Sequence, residues 1–309
     1  MKRELWFFRG LNCSIAAVVA DGTIIDIARK RHDQLLLTGS QFSGKVIEKN
    51  SKLKALFVDI GLDRLGFLAL TKDTNTITVG QNIIVRCNSE FSQLKGPALT
   101  FVSFNKESAQ EPELLMDASD PVKALLCRNE KPQRVFCNHA NLVDLLKSQL
   151  PEAGLISPFA KSEFVENWQQ EICAYADHLD GSTWVFEESN GAFLLFEPGE
   201  TLTAIDVNSG RSAVRDQNER LALNLSAVDA IIEQIELRQL SGQIVIDFLN
   251  LERKEARREV SQKFESSLAA LPNRFELVPL NALGLLCLSR QRLFPAFHES
   301  SPMQDQSND

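Results

Sequence analysis

The sequence predicts a multidomain chain of mixed α+β and α/β type, in which a small OB-like β-barrel precedes an α/β subdomain. Three observations lead there. Between Phe42 and Phe104 short β-like runs recur, "FSGKVIEK", "KALFVDIG", "GFLAL", "QNIIVRC" and "PALTFVSF", parted by turns rich in Gly, Asp and Asn. Five short strands within about 65 residues suggest a closed barrel, and the OB-like barrel is the commonest of that size. Further on, the apolar run "LTAID" is followed by a helical stretch from about Asp216 to Leu240 and then by the continuous apolar strand "QIVIDFL", the pattern of a strand–helix–strand unit. A length of 309 residues supplies two or three domains and ample core.

The elements follow in order. "SIAAVVADGTIIDIA" is two β-like runs around Asp21-Gly22, a hairpin signal. "NKESAQEPELLMDASD" is polar, acidic and aperiodic, and reads as a linker. Residues 120–195 alternate a helical opening ("PVKALLC"), a strand ("QRVFCN"), two helical segments ("NLVDLLKSQL" and "SEFVENWQQEICAYADHL") and a hairpin, "STWVFEESNGAFLLFE", turning at Asn190-Gly191. In the next helix Leu221, Leu225, Val228, Ile232 and Ile235 recur at three- and four-residue spacing, the mark of one buried face, and Gly242 is expected to close it. A charged helix, the strand "FELVPL" and the segment "LGLLCLSRQRL" complete the fold, and the tail from 299 to 309 reads as disordered.

Composition narrows the function. Six scattered cysteines with no CxxC pair, and four histidines, exclude a conventional zinc site and read as free thiols in a reducing compartment, hence a cytoplasmic protein. No run has the roughly 18 apolar residues of a membrane helix. The N-terminus resembles a secretory signal faintly, but Arg9 and Asn12 break its apolar core. The net charge of −8 is uneven: residues 36–106 carry nine Lys/Arg against five acids, a net of +4, which leaves −12 elsewhere. A basic, strand-rich segment in an acidic chain is a candidate polyanion surface; an ordinary solvated face is the plain alternative.

Chemistry concentrates at two strand ends. Asp206 in "LTAID" and Asp247 in "IVID" are joined through one helix. A right-handed crossover makes such strands parallel and brings both carboxylates to the sheet's carboxyl edge. Like charges that close need a proton or a cation between them. With no His or Cys nearby, a hard cation such as Mg2+ or Mn2+ is favoured, one that polarises a phosphodiester and acidifies water. Asn208 adds a neutral group to orient water or phosphate, and Arg211, after a turn, a forked donor for phosphate. Against this, a single strand-end Asp is more often a helix cap, and Asn-Ser-Gly is ordinary turn chemistry.

These residues resemble the ribonuclease E/G family of bacterial endoribonucleases. "LTAIDVNSGR", "ALNLSAVDAIIEQIELRQLSGQIVIDF" and "GLLCLSRQRLFP" look like its DNase I-like catalytic subdomain, here residues 196–298. "GKVIEKNSKLKALFVDIGLDRLGFLAL" with "LKGPALTFVSF" looks like its S1 RNA-binding domain, residues 36–107. That domain is inserted into a split, degenerate RNase H-like part, residues 1–35 and 120–195. The resemblance implies Mg2+-dependent hydrolysis of single-stranded RNA leaving 5′-phosphate and 3′-hydroxyl ends, in RNA processing or decay. It also implies metal at Asp206 and Asp247, a phosphate-positioning Asn208, and RNA contacts from Phe57, Phe67, Lys95 and Arg274. Aromatic faces stack on unpaired bases with little sequence preference; the alternatives are barrel core for the two phenylalanines and a solvated charge for Arg274.

Several departures shape the expectation. Residues 108–119 stand where the family carries a sensor for 5′-monophosphate ends, and no Arg-Thr sensor motif appears, so cleavage independent of the 5′ end is expected. The zinc-link cysteines that follow "SRQRL" in the family are missing, as is its small C-terminal domain, which points to a monomer rather than a zinc-linked dimer, with no zinc cofactor. Asn250 stands where the family usually has a second acid. A competing expectation is an RNA-binding, chaperone-like protein that keeps the barrel and cleaves weakly or not at all.

Overall fold

The computed structural model describes residues 2–34, 36–89, 96–105, 111–150, 155–158, 167–186, 191–199, 201–211, 216–269, 271 and 275–300. The chain divides into two units, one of residues 1–173 with 293–295 and 302–309, the other of residues 174–292 with 296–301.

In the first unit, β1 (Arg3–Arg9), β2 (Cys13–Ala20) and β3 (Thr23–Arg31) form an antiparallel meander. The β2–β3 turn places Asp21 at φ 48° and Gly22 at φ 86°, the left-handed pair that an Asp-Gly hairpin turn demands. The expected five-strand segment follows as β4 (Gln41–Asn50), β5 (Ala55–Asp59), β6 (Gly66–Ala69), β7 (Asn82–Cys87) and β8 (Ala98–Phe104). Their pairing closes into a ring, β4–β5–β6–β8–β7–β4, with only β6 and β8 parallel. Val46, Leu56, Val58, Leu68, Ile83, Val85 and Leu99 fill it.

The stretch expected to be a featureless linker contains a strand, β9 (Glu113–Met116), paired with Gln41–Ser43 of β4. The reason is local: β5 pairs only with Lys45–Asn50, so without β9 the backbone groups of the start of β4 would lack partners on that side.

After the barrel, α1 (Pro121–Arg128) opens with proline in its first turn and an Asp120 cap on the Lys123 amide. Then come β10 (Arg134–Cys137), α2 (Leu142–Gln149) and β11 (Leu155–Pro158). β10 runs parallel to β1 and β11 parallel to β10, so the barrel interrupts one sheet of order β11–β10–β1–β2–β3. α3 (Trp168–Asp180) begins with Trp168, whose ring packs 6.0 Å from that of buried Trp6.

The second unit is one six-stranded sheet. It contains β12 (Thr183–Val185), β13 (Phe193–Pro198), β14 (Leu202–Asn208), β15 (Gly242–Asp247), β16 (Phe275–Val278) and β17 (Leu285–Arg290), in the order β12–β13–β14–β15–β17–β16. The β12–β13 hairpin, grouped by sequence with the preceding segment, hydrogen-bonds along β14 instead. Its Leu194 and Phe196 enter the same core as Ile205 and Val207.

α4 (Gln217–Leu237) and α5 (Lys254–Leu268) bury Val228, Ile231, Ile235, Val260 and Phe264 in that core. The buried stripe of α4 is rotated from the expected one: Asn224, Ala227 and Ile231 are buried while Leu221, Leu225 and Ile232 are half-buried. Nor does Gly242 end α4. Gln239 takes the left-handed conformation, φ 50°, and the Leu240 amide reaches back to the Ile235 carbonyl at 3.0 Å, a Schellman closure built without glycine. Gly242 instead opens β15. Among the described residues no helix is long and apolar enough to cross a membrane.

Candidate functional site

Strand alternation divides β14 into two faces. Thr203, Ile205 and Val207 are buried, whereas Ala204, Asp206 and Asn208 are half-buried on the other side; β15 repeats this with Ile244 and Ile246 inward and Val245 and Asp247 outward. β14 and β15 are parallel neighbours, and Asp206 is the direct register partner of Asp247. In a parallel pair, partners leave the same face of the sheet, on strands roughly 4.8 Å apart. The 41-residue separation in sequence therefore collapses to adjacent positions.

The electrostatics follow from that register. Burial first, and then the negative charge of Asp206, push the Asp247 carboxyl above its ordinary range; a like charge at close range disfavours the ionised form. Asn208 Nδ2 donates to Asp206 Oδ2 at 2.7 Å, which fixes that carboxylate's orientation and leaves its second oxygen for a ligand. Gly284, at φ 91°, brings backbone against the pair's other member. A Cβ there would stand 2.9 Å from the Phe248 carbonyl and 3.4 Å from Asp247 Oδ1.

The loop that leaves Asp247 is clipped to α4. Asn224, fully buried, donates through Nδ2 to the Leu249 carbonyl at 2.8 Å and accepts from the Leu249 amide at 3.1 Å. Gln217 accepts from the Glu252 amide and Asn218 from Arg253. Asn250 stands exposed in this loop. Sequence reasoning missed Asn224 and Gly284. The only signals were a polar residue inside an apolar stripe and a glycine ahead of a strand.

Beyond Asn208 the chain turns through Gly210, φ 58°, where a Cβ would come within 2.0 Å of the Gly191 carbonyl oxygen. Gly210→Ala is therefore expected to cost about 1–3 kcal/mol in backbone strain and to displace Asn208, which chemical denaturation with parallel cleavage assays measures. Arg211 is exposed at the end of that turn. Among the described residues, no hydrogen bond or ion pair ties it to either carboxylate.

The donor set suits a hard divalent ion: two mutually repelling carboxylates beside an amide, with no thiolate or imidazole. Among the described residues there is no group of three or more His, Cys, Asp or Glu placed to hold a metal, so the pair would share the ion with water and ligand oxygens. Among the described residues none of the six cysteines is joined in a disulfide.

On the barrel, Phe57 and Phe67 are register partners on β5 and β6, ring centroids 6.1 Å apart and edge-to-face. Neither belongs to the barrel core, and Phe67 is 38% exposed. Lys95 and Arg274 lie outside the described residues.

Comparison with known proteins fits this geometry. The model of the ribonuclease E/G family matches residues 83–293. Ribonuclease E of Haemophilus influenzae is 39% identical over 376 aligned positions, covering 90% of this chain and 40% of that protein. Ribonuclease E of Escherichia coli K12 is 37% identical over 114 residues, 36% of this chain and 11% of that protein. A ribonuclease E/G-like protein of Porphyra purpurea is 31% identical over 111 residues, 35% of this chain and 22% of its own length. The chain thus spans well under half the length of these relatives. With the family's model matched across more than half of its residues, the chain belongs to the ribonuclease E/G family.

Proposed function

We propose that this chain is an endoribonuclease that hydrolyses single-stranded RNA with Mg2+ or Mn2+, irrespective of the RNA's 5′ end. The register pairing of Asp206 with Asp247 carries the reading, because two acids forced together across neighbouring strands have little structural use. Asp206 and Asp247 would hold the cation. When bound, such an ion offsets the carboxylates' repulsion, polarises the attacked phosphate and lowers the pKa of its water.

The chain's own groups do the rest. Asn208 holds Asp206 in one rotamer through Nδ2 and keeps a second amide hydrogen for phosphate or water. Arg211, which makes no hydrogen bond or ion pair among the described residues, clamps the phosphate through its fork. The Asn224 clip fixes the strand end that presents Asp247.

The finer fold readings have support of the same kind. The ring of β4 to β8 favours an S1, OB-like barrel, the sheet split by that barrel favours an RNase H-like part, and the β14–α4–β15 unit favours a DNase I-like subdomain. Independence of the 5′ end is supported by the absence of a sensor-sized segment between β8 and α1. The 376 aligned positions of the Haemophilus protein exceed the 309 residues present here, so that relative carries segments without counterparts in this chain.

The test is incubation of purified protein with a 5′-hydroxyl single-stranded RNA. Cleavage in Mg2+ or Mn2+, lost with EDTA and equal for a 5′-monophosphorylated substrate, is expected. RNA bound but uncut at every level of either metal would instead make this the weakly catalytic or non-catalytic RNA-binding protein. Phe67→Ala should weaken RNA binding by about 1–3 kcal/mol, roughly five- to 150-fold. Its melting temperature should stay unchanged, since the ring is not part of the core; fluorescence anisotropy and calorimetry read the two effects.

A further inference from the structure

The row of the sheet that holds Asp206 and Asp247 is apolar at both ends. Strand register sets it: Leu195 on β13 is the partner of Asp206, Asp206 of Asp247, and Asp247 of Leu285 on β17. Partners on neighbouring strands leave the same face, so the two acids stand side by side with a leucine beyond each. Phe193, the partner of Asn208, widens the β13 end. Leu195, Phe193 and Leu285 are half-buried, and none of them belongs to the core that α4 and α5 cover on the opposite face.

The β17 end is extended by Leu283, 79% exposed on the turn into that strand. Hydrogen bonds hold the turn. Asn281 Oδ1 accepts from the Leu283 and Leu285 amides at 2.8 and 3.1 Å. The Gly284 carbonyl accepts at 2.9 Å from the amide of Phe248, the residue after Asp247. The turn is therefore tied to the strand end that presents a carboxylate.

Charge and spacing decide what such a row can hold. The acids repel a phosphate unless a cation lies between, so a nucleotide chain meets the leucines through its bases and riboses. Strands roughly 4.8 Å apart set Leu195 and Leu285 roughly 14 Å apart, whereas stacked bases are separated by about 3.4 Å. We propose that RNA crosses the strands along this row, the attacked phosphate over the two acids and the flanking nucleotides splayed. One base lies against Leu195 and Phe193, the other against Leu285 and Leu283. The inference rests on the endoribonuclease reading and deepens it. A duplex cannot splay in this way without unpairing, so the apolar ends select single strands, and contact with base faces imposes no strict base preference.

A short single-stranded RNA with 2-aminopurine on both sides of one methylphosphonate junction tests this on the intact protein. That junction is uncharged and resists hydrolysis, so it seats without a cation and stays uncut. Splaying unstacks the two fluorophores, and binding should brighten them. Leu195→Thr and Leu283→Ser should each lose most of that brightening. On cleavable RNA each should lower kcat/KM about three- to 30-fold. An abasic nucleotide on one side of the cut should abolish the difference for Leu195→Thr, and on the other side for Leu283→Ser. Melting temperatures should stay near the parent's; if Leu195→Thr fails to fold, Leu283→Ser on the exposed turn decides. Brightening without cleavage fails the nuclease reading and leaves this surface standing. Cleavage by the parent without brightening of the bound RNA, or brightening and kcat/KM unchanged in the variants, overturns the inference. So does a parent dimer in sedimentation that Leu195→Thr dissolves while brightening persists, which assigns the face to a second copy of the chain.

Discussion

Replacing Asp206 or Asp247 by asparagine is expected to abolish RNA cleavage, by roughly 10²–10³-fold or more, while the protein melts no earlier than before. Loss of one preorganised charge at a reacting phosphate is worth at least that much. Stability moves the other way because the two carboxylates are adjacent register partners that repel.

The pH dependence follows from the raised Asp247 carboxyl. An acid whose folded pKa lies above its unfolded value keeps its proton longer in the folded state. Its contribution to stability is therefore largest below the ordinary carboxylate range and is lost as pH rises through the raised value. The asparagine variants lack that loss. Cation binding needs both acids ionised, so cleavage should fall on acidification through the raised Asp247 value, earlier than an ordinary carboxylate would cause. A pH–rate profile beside a pH series of melts checks both halves. An asparagine variant that cuts RNA at the parent rate contradicts the assignment.

Asn224→Ala is expected to have the second largest effect. Asn224 is fully buried and satisfies both backbone groups of Leu249, two residues past Asp247. Its removal leaves a donor and an acceptor unpaired, at about 1–3 kcal/mol each, so a loss of roughly 2–6 kcal/mol should appear in urea unfolding. A purely structural residue would stop there. Because this one holds the loop behind Asp247, the proposed ligand, the apparent affinity for Mn2+ should also fall, by about 10–100-fold as for other residues that support metal ligands, with any RNA affinity retained. Asn224→Asp keeps the acceptor for the Leu249 amide but loses the donor, and is expected to fall between the two. Unaltered Mn2+ affinity in the folded alanine variant would reduce Asn224 to packing.

How much of this was legible depended on whether local pattern and tertiary outcome agreed. The barrel strands and the β14–α4–β15 unit announced themselves because period-two and three-to-four-residue apolar spacing report burial directly. Asp206 and Asp247 were visible as acids ending apolar runs, although their exact opposition depends on register, which no local pattern encodes. β9 was hidden because Leu114 and Leu115 are exposed; its pairing serves the edge of β4 rather than a core.

The end of α4 was misplaced because Gln239 adopts a conformation that glycine usually takes, and Gly242 stood nearby as the obvious candidate. The hairpin's allegiance to β14 is a long-range pairing choice, invisible in "STWVFEESNGAFLLFE" itself. Arg238 and Asn224 escaped notice for a shared reason: each is a polar residue on, or capping, a helix otherwise read for its apolar stripe. Their importance arises from carbonyls and amides contributed by other elements.

The most direct test is a Mn2+ titration followed by electron paramagnetic resonance, run on the parent protein and on the Asp206→Asn and Asp247→Asn variants. The account predicts one Mn2+ bound per parent chain, released by EDTA, and no comparable binding when either acid is neutralised while the fold, checked by melting, persists. The same stoichiometry and affinity in all three proteins would contradict it.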